Sequence, residues 1–382
     1  MIFVSDKTVI YIRTNGVDPD PRVEKEISAI SKIEGLKVHI LAWDRTGKKG
    51  EVKEEKFLGY DNVIITRFGI PSIWGGGIKK NLFPAMKFYF TIKKWLIKNH
   101  EKYDYIHLCD LLTYLPARKA IKKYNKKYIY DIYDYYPDTK AFPKTIEKKL
   151  VKYETQAIKN AFCTIICTEK RKEQIKTSNY KKLLVIHNSP SDLQINVETR
   201  EFNLDKSKFK IGYVGNLVNE RFLLETIKAV NEINNVEFHI GGVGSLENKI
   251  KLEADKSKKI IFYGRLLYKD VISLEKQVDA MIAFYNPLIK NHKYAAPNKF
   301  YEALSLGKPL LMFKNTGVDD ILEKNNFGLA VDANIDSIKD GILKLMNTAY
   351  YPNLEIAYFE KNYAWSIMEN RLIKMYEELI YE

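Results

Sequence analysis

Residues 294–311 combine residue types that can bind a nucleoside diphosphate, at a spacing that fits one helix. The stretch reads YAAPNKFYEALSLGKPLL, so that a loop with Pro297 opens an amphipathic helix that ends at Gly307. The free N–H groups at such a helix start bind anions, and a diphosphate suits them. Glu302 lies about one helical turn further in, where its carboxylate can accept hydrogen bonds from sugar hydroxyls. The pattern predicts a nucleotide-sugar site, and the alternative is an ordinary strand–helix unit with a well-formed helix end.

Polar and glycine-rich loops that follow four predicted strands add phosphate chemistry to the same half of the chain. Gly215 permits a close backbone approach to a phosphate, and Arg221 supplies a positive charge that could neutralise it. A tight turn with a surface arginine is the alternative for this loop by itself. The GGVGS loop lacks the full dinucleotide fingerprint, so it does not predict NAD binding. The four loops are residues 213–221, 241–245, 286–287 and 317–320.

The elements that would position these loops alternate between strands and helices along the whole chain. Short apolar runs predict the strands, and amphipathic helical patterns separate most of them. This alternation predicts a parallel, doubly wound sheet in each half, with ligands bound outside the carboxyl ends of the strands. The predicted strands are residues 8–13, 36–43, 63–68, 105–108, 127–132, 164–168 and 183–187, and then 210–214, 237–240, 260–263, 280–284, 310–313 and 329–331.

A chain of 382 residues is too long for one typical core, so we expect two domains. We place the first at residues 1–190 and the second at residues 205–352, joined by the turn-rich residues 188–208. Residues 353–382 form a last segment that we expect to be helical from residue 358. One face of this helix carries Leu372, Met375, Tyr376 and Leu379.

The composition is typical of a folded globular protein, with 46% hydrophobic and 29% charged residues. Cys109, Cys163 and Cys167 cannot form a fully paired disulfide framework and lack the spacing of a zinc site. These cysteines favour a reducing, cytoplasmic location. The sequence shows no signal-peptide pattern, and no run reaches the roughly 18 apolar residues that a membrane span needs.

Basic residues are concentrated in the first half of the chain. Residues 1–200 hold 38 Lys and Arg against 23 Asp and Glu, whereas residues 201–382 hold 24 against 25. Residues 79–127 alone hold 13 basic and 3 acidic residues, interleaved with aromatic side chains such as Phe83 and Trp95. Such a surface suits an anionic membrane or a nucleic acid, and a solvated lysine-rich face is the alternative. We expect peripheral contact with an anionic membrane and no nucleic-acid partner, because the chain shows no recognised nucleic-acid-binding module.

These motifs together resemble those of glycosyltransferases with two Rossmann-like domains, the GT-B architecture, and within it the large retaining family 4 group. The resemblance covers nearly the whole chain, and residues 297–309 are its most specific motif. The first half contributes residues 20–26 (DPRVEKE), 41–45 (LAWDR), 103–110 (YDYIHLCD) and 130–134 (YDIYD), and the second half contributes residues 185–189 (VIHNS), 242–244 (GVG) and 364–365 (AW), with the Gly215 loop and residues 297–309.

The resemblance implies two doubly wound domains that face each other across a cleft, with a C-terminal helix that returns to the first domain. It implies that the first domain binds the acceptor, with Gly16 and Arg22 on that side, and that the second binds a nucleotide-diphospho-sugar. We expect a UDP-sugar as the donor, no separate cofactor and no metal, and transfer of a hexosyl group with retention. The implied donor-side residues are Gly215, Asn216, Arg221, Gly242, Gly244, Tyr294, Pro297, Asn298, Lys299 and Glu302.

By position, Glu302 matches the acid that holds the donor ribose, and the amides of Asn298 and Lys299 match those at the diphosphate. Two donor-side positions depart from the family pattern. The usual second glutamate, which lies near the transferred sugar, is Tyr294 in this chain. The usual Arg-plus-Lys phosphate pair appears as Asn216 and Arg221, so that one positive charge is lost, and Lys293 or Lys299 could replace it.

The acceptor domain departs from the family as well, because Tyr133 stands where a histidine is frequent. Asp110 and Asp134 are the nearby acids, and either could act as the base for an acceptor hydroxyl or serve a structural role such as capping. Asp18 and Asp20 imitate the metal-binding Asp-x-Asp of another glycosyltransferase fold. They precede a helix, so we interpret them as a turn and a helix cap.

The sequence therefore predicts transfer of a sugar from a nucleotide-diphospho-sugar to a hydroxyl acceptor. The basic first domain indicates a lipid-linked glycan or a surface polysaccharide precursor at the cytoplasmic face of the membrane. Three alternatives remain: a nucleotide-sugar epimerase of the same fold, a catalytically inactive donor-binding partner protein, and a nucleic-acid binder.

Overall fold

The computed structural model describes residues 6–73, 77–191 and 200–381, except for the side chains of residues 77–79. The chain divides into two compact units. The first runs to Ile186 and also includes the segment from Met368 onwards, and the second runs from His187 to Ile367. Residues 192–199 of the predicted linker lie outside the described residues.

The first unit contains the strands β1 (Lys7–Arg13), β2 (Leu36–Asp44), β3 (Val52–Lys56), β4 (Val63–Gly69), β5 (Tyr105–Cys109), β6 (Lys127–Ile132), β7 (Cys163–Ile166) and β8 (Leu183–Val185). They form one sheet in the order β3-β4-β2-β1-β5-β6-β7-β8. All neighbours pair in parallel except β3, which is antiparallel to β4. The helices are α1 (Pro21–Ile30), α2 (Gly77–Lys98), α3 (Leu111–Tyr124), α4 (Lys144–Asn160) and α5 (Arg171–Gln174).

Strand β3 is missing from the strands predicted from the sequence. Its five residues, VKEEK, are all exposed, so it has no buried face that an alternating pattern could reveal. It lies at the edge of the sheet, where charged side chains discourage pairing with another chain. Pairing with β4, rather than the local sequence, therefore decides this strand.

The second unit contains the strands β9 (Phe209–Asn216), β10 (Val236–Val243), β11 (Ile260–Phe262), β12 (Ala280–Ala283), β13 (Leu310–Phe313) and β14 (Gly328–Val331). They form a wholly parallel sheet in the order β11-β10-β9-β12-β13-β14. The helices are α6 (Leu223–Asn231), α7 (Glu247–Lys256), α8 (Tyr268–Gln277), α9 (Asn298–Leu306), α10 (Asp319–Lys324), α11 (Ile335–Met346) and α12 (Pro352–Asn362), and α13 (Trp365–Tyr381) follows.

The C-terminal segment forms two helices, not the one that the sequence predicts from residue 358. The backbone N–H groups of Tyr363 and Ala364 both donate to the carbonyl of Phe359, which ends α12 before α13 begins. Phe359 and Tyr363 are buried in the core of the second unit. In α13, Leu372, Met375, Tyr376 and Leu379 are buried, and the Tyr376 hydroxyl lies 2.7 Å from His107 Nδ1 on β5.

Both units are therefore Rossmann-like α/β folds, as the alternating pattern predicts. Parallel pairing brings the carboxyl ends of β9, β10, β12 and β13 to one edge of the second sheet. The four polar and glycine-rich loops all begin at that edge. Within the part of the chain that the structure describes, no helix is both long and apolar enough to cross a membrane.

Candidate functional site

Gly215 and Gly242, which the sequence predicts in loops, lie in the last residues of β9 and β10, opposite each other in the parallel register. Gly242 has a φ of +131°, and a Cβ atom there would lie 1.9 Å from the carbonyl oxygen of Gly215. A Cβ atom at Gly244 would lie 2.3 Å from the carbonyl oxygen of Leu217. Backbone atoms cannot yield as a flexible side chain can, so these glycines are required for the two loops to meet.

Arg221 lies on the 3-10 turn Asn219–Arg221 that follows β9. Its guanidinium carbon is 3.7 Å from the ring centre of Tyr285, which follows the adjacent strand β12, so a cation–π contact holds the arginine. Arg221 Nη1 is buried and has no hydrogen-bond partner among the described residues. An unsatisfied charged donor is costly, and an anionic ligand would satisfy it. The neighbouring predicted residue, Asn216, is exposed and uncharged.

Helix α9 begins where the sequence predicts it, with Pro297 as the residue before its first turn. Asn298 is exposed, and its side-chain oxygen accepts a 2.8 Å hydrogen bond from Asn188 Nδ2. The first amides of a helix have no intrahelical acceptor, so they are available to an anion. Tyr294 is partly buried at the end of the preceding 3-10 turn, Lys290–Tyr294. Gly307, in the left-handed conformation, ends the helix as predicted.

Glu302 is almost fully buried, and its carboxylate is already held by two side chains. Tyr268 donates a 3.1 Å hydrogen bond to Glu302 Oε1, and Lys299 Nζ lies 2.6 Å from Glu302 Oε2. Lys299 Nζ also lies 2.5 Å from Oε1 of Glu275 on α8. The charge of Lys299 is therefore committed to carboxylates, and of the two lysines that could replace the missing phosphate cation, Lys293 is the exposed one.

Glu275 is a site neighbour that the sequence analysis misses, since it lies 27 positions before Glu302 on another helix. Only its spacing of seven residues from Tyr268, which puts both on one face of α8, could have suggested it. Burial raises the pKa of Glu275 to about 8, against the opposing effect of Lys299, and Glu302 raises it further. Burial alone would lower the pKa of Lys299, but the two carboxylates outweigh burial and raise it. The cluster thus holds one lysine and two acids, and Glu275 Oε2 has no hydrogen-bond partner in the described structure.

In the first unit, Asp110, Tyr133 and Asp134 meet at the carboxyl ends of β5 and β6. Asp110 Oδ1 accepts hydrogen bonds from the backbone N–H of Tyr133 at 2.8 Å and of Asp134 at 3.1 Å. Arg13 Nη1 lies 3.6 Å from Asp110 Oδ2. Asp110 has a φ of +66°, a conformation that costs energy for a residue with a side chain. Burial raises its pKa to about 7 against the effect of Arg13, and Asp134 adds to the rise.

Arginine side chains lie against both faces of the ring of Tyr133, the residue that stands where a histidine is frequent. The guanidinium carbons of Arg13 and Arg22 lie 4.1 Å and 4.0 Å from its ring centre. Its hydroxyl is 3.0 Å from the hydroxyl of Tyr11. Burial raises the pKa of Tyr133 well above its usual value, so the ring stays neutral and cannot act as a base near neutral pH. Asp134 is mostly exposed and pairs with Arg171 at 3.3 Å.

Arg22 and Gly16, the two predicted acceptor-side residues, have mainly structural contacts. Arg22 is 5% exposed, and its guanidinium lies 2.8 Å from both Glu26 Oε1 and Asp131 Oδ1. The carbonyl of Gly16 accepts a 2.7 Å hydrogen bond from Arg67 Nε. Both residues therefore support the loop after β1 and helix α1.

The carboxylates of Glu26 and Asp131, with His107, form the one group of three metal-ligating side chains found among the described residues. Arg22 already pairs with both carboxylates, so a divalent cation would have to compete with a buried guanidinium. Asp20 caps α1 through the backbone N–H of Val23 and pairs with Arg13 at 2.8 Å. The interpretation of Asp20 as a helix cap is thus confirmed.

The first half of the basic segment at residues 79–127 forms α2. This helix exposes Leu82, Phe83, Met86 and Phe90, which are 50%, 79%, 46% and 55% accessible. Phe88 is buried against Trp43, with stacked rings 5.1 Å apart. Among the lysines of α2, Lys80, Lys87 and Lys94 are exposed. We call the exposed residues 82, 83, 86 and 90 the α2 stripe.

The acid cluster of the second unit leads to a prediction about pH. Below the ordinary pKa of a glutamate, 4.5, Glu275 is protonated in both the folded and the unfolded chain. Between that value and about 8 the unfolded chain loses the proton and the folded chain keeps it, so that Glu275 lowers stability progressively. Glu275→Gln should therefore gain stability relative to the wild type as pH rises from 5 to 8. Urea unfolding at several pH values tests this, with Glu360→Gln at an exposed position as control, and a difference that does not change with pH would contradict it.

Known proteins resemble this chain in sequence over part of the second unit and in fold over almost its whole length. Residues 208–348, within the second unit, match the family described as "Glycosyl transferases group 1". Among solved structures, sucrose-phosphate synthase from Thermosynechococcus elongatus superposes with a TM-score of 0.74 at 12% identity, covering 98% of this chain and 99% of that one. Anabaena HepE, in complex with UDP and glucose, superposes with a TM-score of 0.66 at 12% identity, covering 97% of this chain and 100% of that one.

A protein from Listeria monocytogenes described as a UDP-N-acetylglucosamine 2-epimerase also superposes, with a TM-score of 0.60 and 11% identity over 97% of this chain and 95% of that one. A search of curated sequences gives no match. Identities this low show the fold alone. The resemblance to glycosyltransferases of the GT-B architecture is nevertheless confirmed, in fold over almost the whole chain and in sequence over residues 208–348.

Proposed function

We propose that this protein is a glycosyltransferase that moves a sugar from a UDP-sugar to a hydroxyl acceptor. The observation that carries the proposal is the buried, unsatisfied Nη1 of Arg221. It belongs to the same sheet edge as the Gly215 and Gly242 loops. A positively charged donor held beside close-packed glycine backbone suits a diphosphate. The match of residues 208–348 to group 1 glycosyl transferases and the UDP bound by HepE support the choice of donor.

In this proposal the second unit binds the donor. Arg221 and the first amides of α9 hold the diphosphate and stabilise it as it leaves. Glu302 accepts hydrogen bonds from the ribose hydroxyls, and Tyr268 and Lys299 keep its carboxylate in one orientation. Arg221 is the proposed diphosphate-binding side chain because Asn216 is neutral and Lys299 is already paired with carboxylates. The diphosphate needs no metal in this scheme, so transfer should continue in the presence of EDTA.

The first unit binds the acceptor and supplies the base. Asp110 is the better candidate than Asp134, because its raised pKa lies near neutral pH, where a base is most effective. The two backbone N–H groups and Arg13 orient its carboxylate. Transfer would proceed with retention at the anomeric carbon. We further propose a lipid-linked acceptor, reached at the cytoplasmic face of a membrane, because the α2 stripe and its lysines form an apolar surface with basic flanks.

Two other functions predict different outcomes. An epimerase of this fold would convert a UDP-sugar that is supplied without any acceptor. An inactive donor-binding protein would bind UDP-sugars without turnover. This alternative is considered because Tyr294 stands in place of an acid. Incubation of the protein with UDP-sugars, with and without added acceptors, separates these cases.

Arg221→Ala should weaken the binding of UDP, because it removes the charged donor at the diphosphate. A charged hydrogen bond contributes about 1.5–3 kcal/mol, which corresponds to a loss of affinity on the order of ten- to hundredfold. Isothermal titration calorimetry measures the change. Lys228→Ala, an exposed charge on α6, is the matched control and should bind UDP as the wild type does. Equal affinity in the wild type and Arg221→Ala would rule out this role.

The rate of transfer should rise with pH across pH 6 to 8, because Asp110 must lose its proton, with a pKa of about 7, before it can act as a base. Asp110→Asn should remove this rise and lower kcat by roughly 10²- to 10⁴-fold. An asparagine can still accept the two backbone N–H groups, so the fold should persist. Asp134→Asn is the comparison. If that variant loses the pH dependence while Asp110→Asn keeps it, Asp134 is the base.

The protein should bind anionic vesicles more strongly than neutral ones, and less as salt rises. Each lysine near an anionic surface contributes about 1 kcal/mol, screened within a Debye length. Replacing Lys80, Lys87 and Lys94 by glutamate should release the protein in a vesicle sedimentation assay and leave its affinity for UDP unchanged. The matched control replaces the exposed Lys249, Lys251 and Lys258 of the second unit. Equal sedimentation of all three proteins would contradict membrane contact.

A further inference from the structure

A partly open, mainly apolar pocket of about 180 Å³ lies in the first unit, against the N-terminal half of α2. Trp43 of β2 and Thr14, directly after β1, form its floor at the carboxyl ends of the strands, and Leu112 and Leu115 of α3 form a wall. Leu82, Ala85, Met86, Phe88 and Tyr89 of α2 complete the lining. The mechanism proposed above does not use this pocket.

The lining is mainly apolar and favours an apolar ligand; its side-chain polar groups are the indole of Trp43 and the hydroxyls of Thr14 and Tyr89. The indole N–H of Trp43 is already used in a 2.8 Å hydrogen bond to the carbonyl of Ile70, and the carbonyl of Thr14 accepts from Arg45. A sugar or a nucleotide would therefore lose its hydrogen bonds to water and regain few, at a cost for each buried polar group. An alkyl or isoprenoid chain loses nothing of this kind and gains from burial.

The pocket is continuous with the exposed surface of α2. Leu82 and Met86 line the pocket and also belong to the α2 stripe, about half exposed. An apolar chain that lies along the stripe can thus enter the pocket without crossing a polar surface. The exposed Lys80 and Lys87 flank the stripe and suit a phosphate that such a chain carries.

The far side of the pocket leads towards the candidate base. Thr14 adjoins Arg13, whose guanidinium lies 3.6 Å from Asp110, and Leu112 lies in the helical turn that follows Asp110. We propose that the pocket binds a single alkyl or isoprenoid chain of the acceptor and so positions its head group near Asp110. This inference rests on the proposed function, of which it names the acceptor class.

The test uses 12-bromododecyl phosphate at concentrations where it is monomeric, because bromine in contact with Trp43 quenches its fluorescence. The wild type should show saturable quenching, and Trp43→Phe should remove most of it. Ala85→Phe fills the pocket and should weaken binding about tenfold, the equivalent of about two buried methylene groups. If Ala85→Phe does not fold, Met86→Gln takes its place in the test. Met86 is half exposed and tolerates a polar side chain, and Met86→Gln should also weaken binding of the probe.

Phe83→Ser is the matched control, since Phe83 is 79% exposed on the same helix and does not line the pocket. It should bind the monomeric probe as the wild type does. Equal quenching of the wild type, Ala85→Phe and Met86→Gln, or a loss confined to Phe83→Ser, would overturn the proposal. The quenching assay does not depend on sugar transfer. Quenching without sugar transfer would support chain binding in the pocket and contradict the glycosyltransferase proposal. Sugar transfer without quenching would support the glycosyltransferase proposal and contradict chain binding in the pocket.

Discussion

Parallel strand pairing is the constraint on which the rest of this structure depends. In a parallel sheet every strand ends at the same edge, so loops far apart in the chain become neighbours. In the second unit this rule brings the loop after β9 against the loop after β10, where Gly215 and Gly242 touch backbone to backbone. In the first unit it brings the ends of β5 and β6 together, so that Asp110 accepts from the backbone of Tyr133. Both candidate sites are products of the same geometric rule.

Each unit shares one buried cation between two buried carboxylates. In the first unit Arg22 pairs with Glu26 and Asp131, and burial, together with the charge of Asp131, raises the pKa of Glu26. In the second unit Lys299 pairs with Glu275 and Glu302, and burial raises the pKa of Glu275. These shared ion pairs connect side chains from different elements and hold them in place. Because Lys299 is paired with both acids, Arg221 and the exposed Lys293 remain as the candidate cations for a phosphate.

Helix α2 connects the chemistry of the first unit with its surface. Its inner face packs Phe88 against Trp43, and its outer face exposes Phe83 and Phe90 among lysines. One helix with two apolar faces is unusual for a surface position, because exposed aromatic side chains are normally few and scattered. The proposed membrane contact would give the outer face an apolar environment, and Leu82 and Met86 join that face to the pocket.

The sequence by itself determined the fold class, the strands with a buried face, and the helix that runs from Asn298 to Gly307, because apolar periodicity and helix-end residues are local signals. It also indicated the glycine loops and Asp20 as a cap. It could not show β3, whose side chains are all exposed. Tertiary structure alone decided that Lys299 turns inward to Glu275, that Tyr133 lies between two arginines, and that Arg221 Nη1 finds no hydrogen-bond partner among the described residues. Each of these features depends on residues that are distant in the chain, and no local sequence pattern shows which of them will meet.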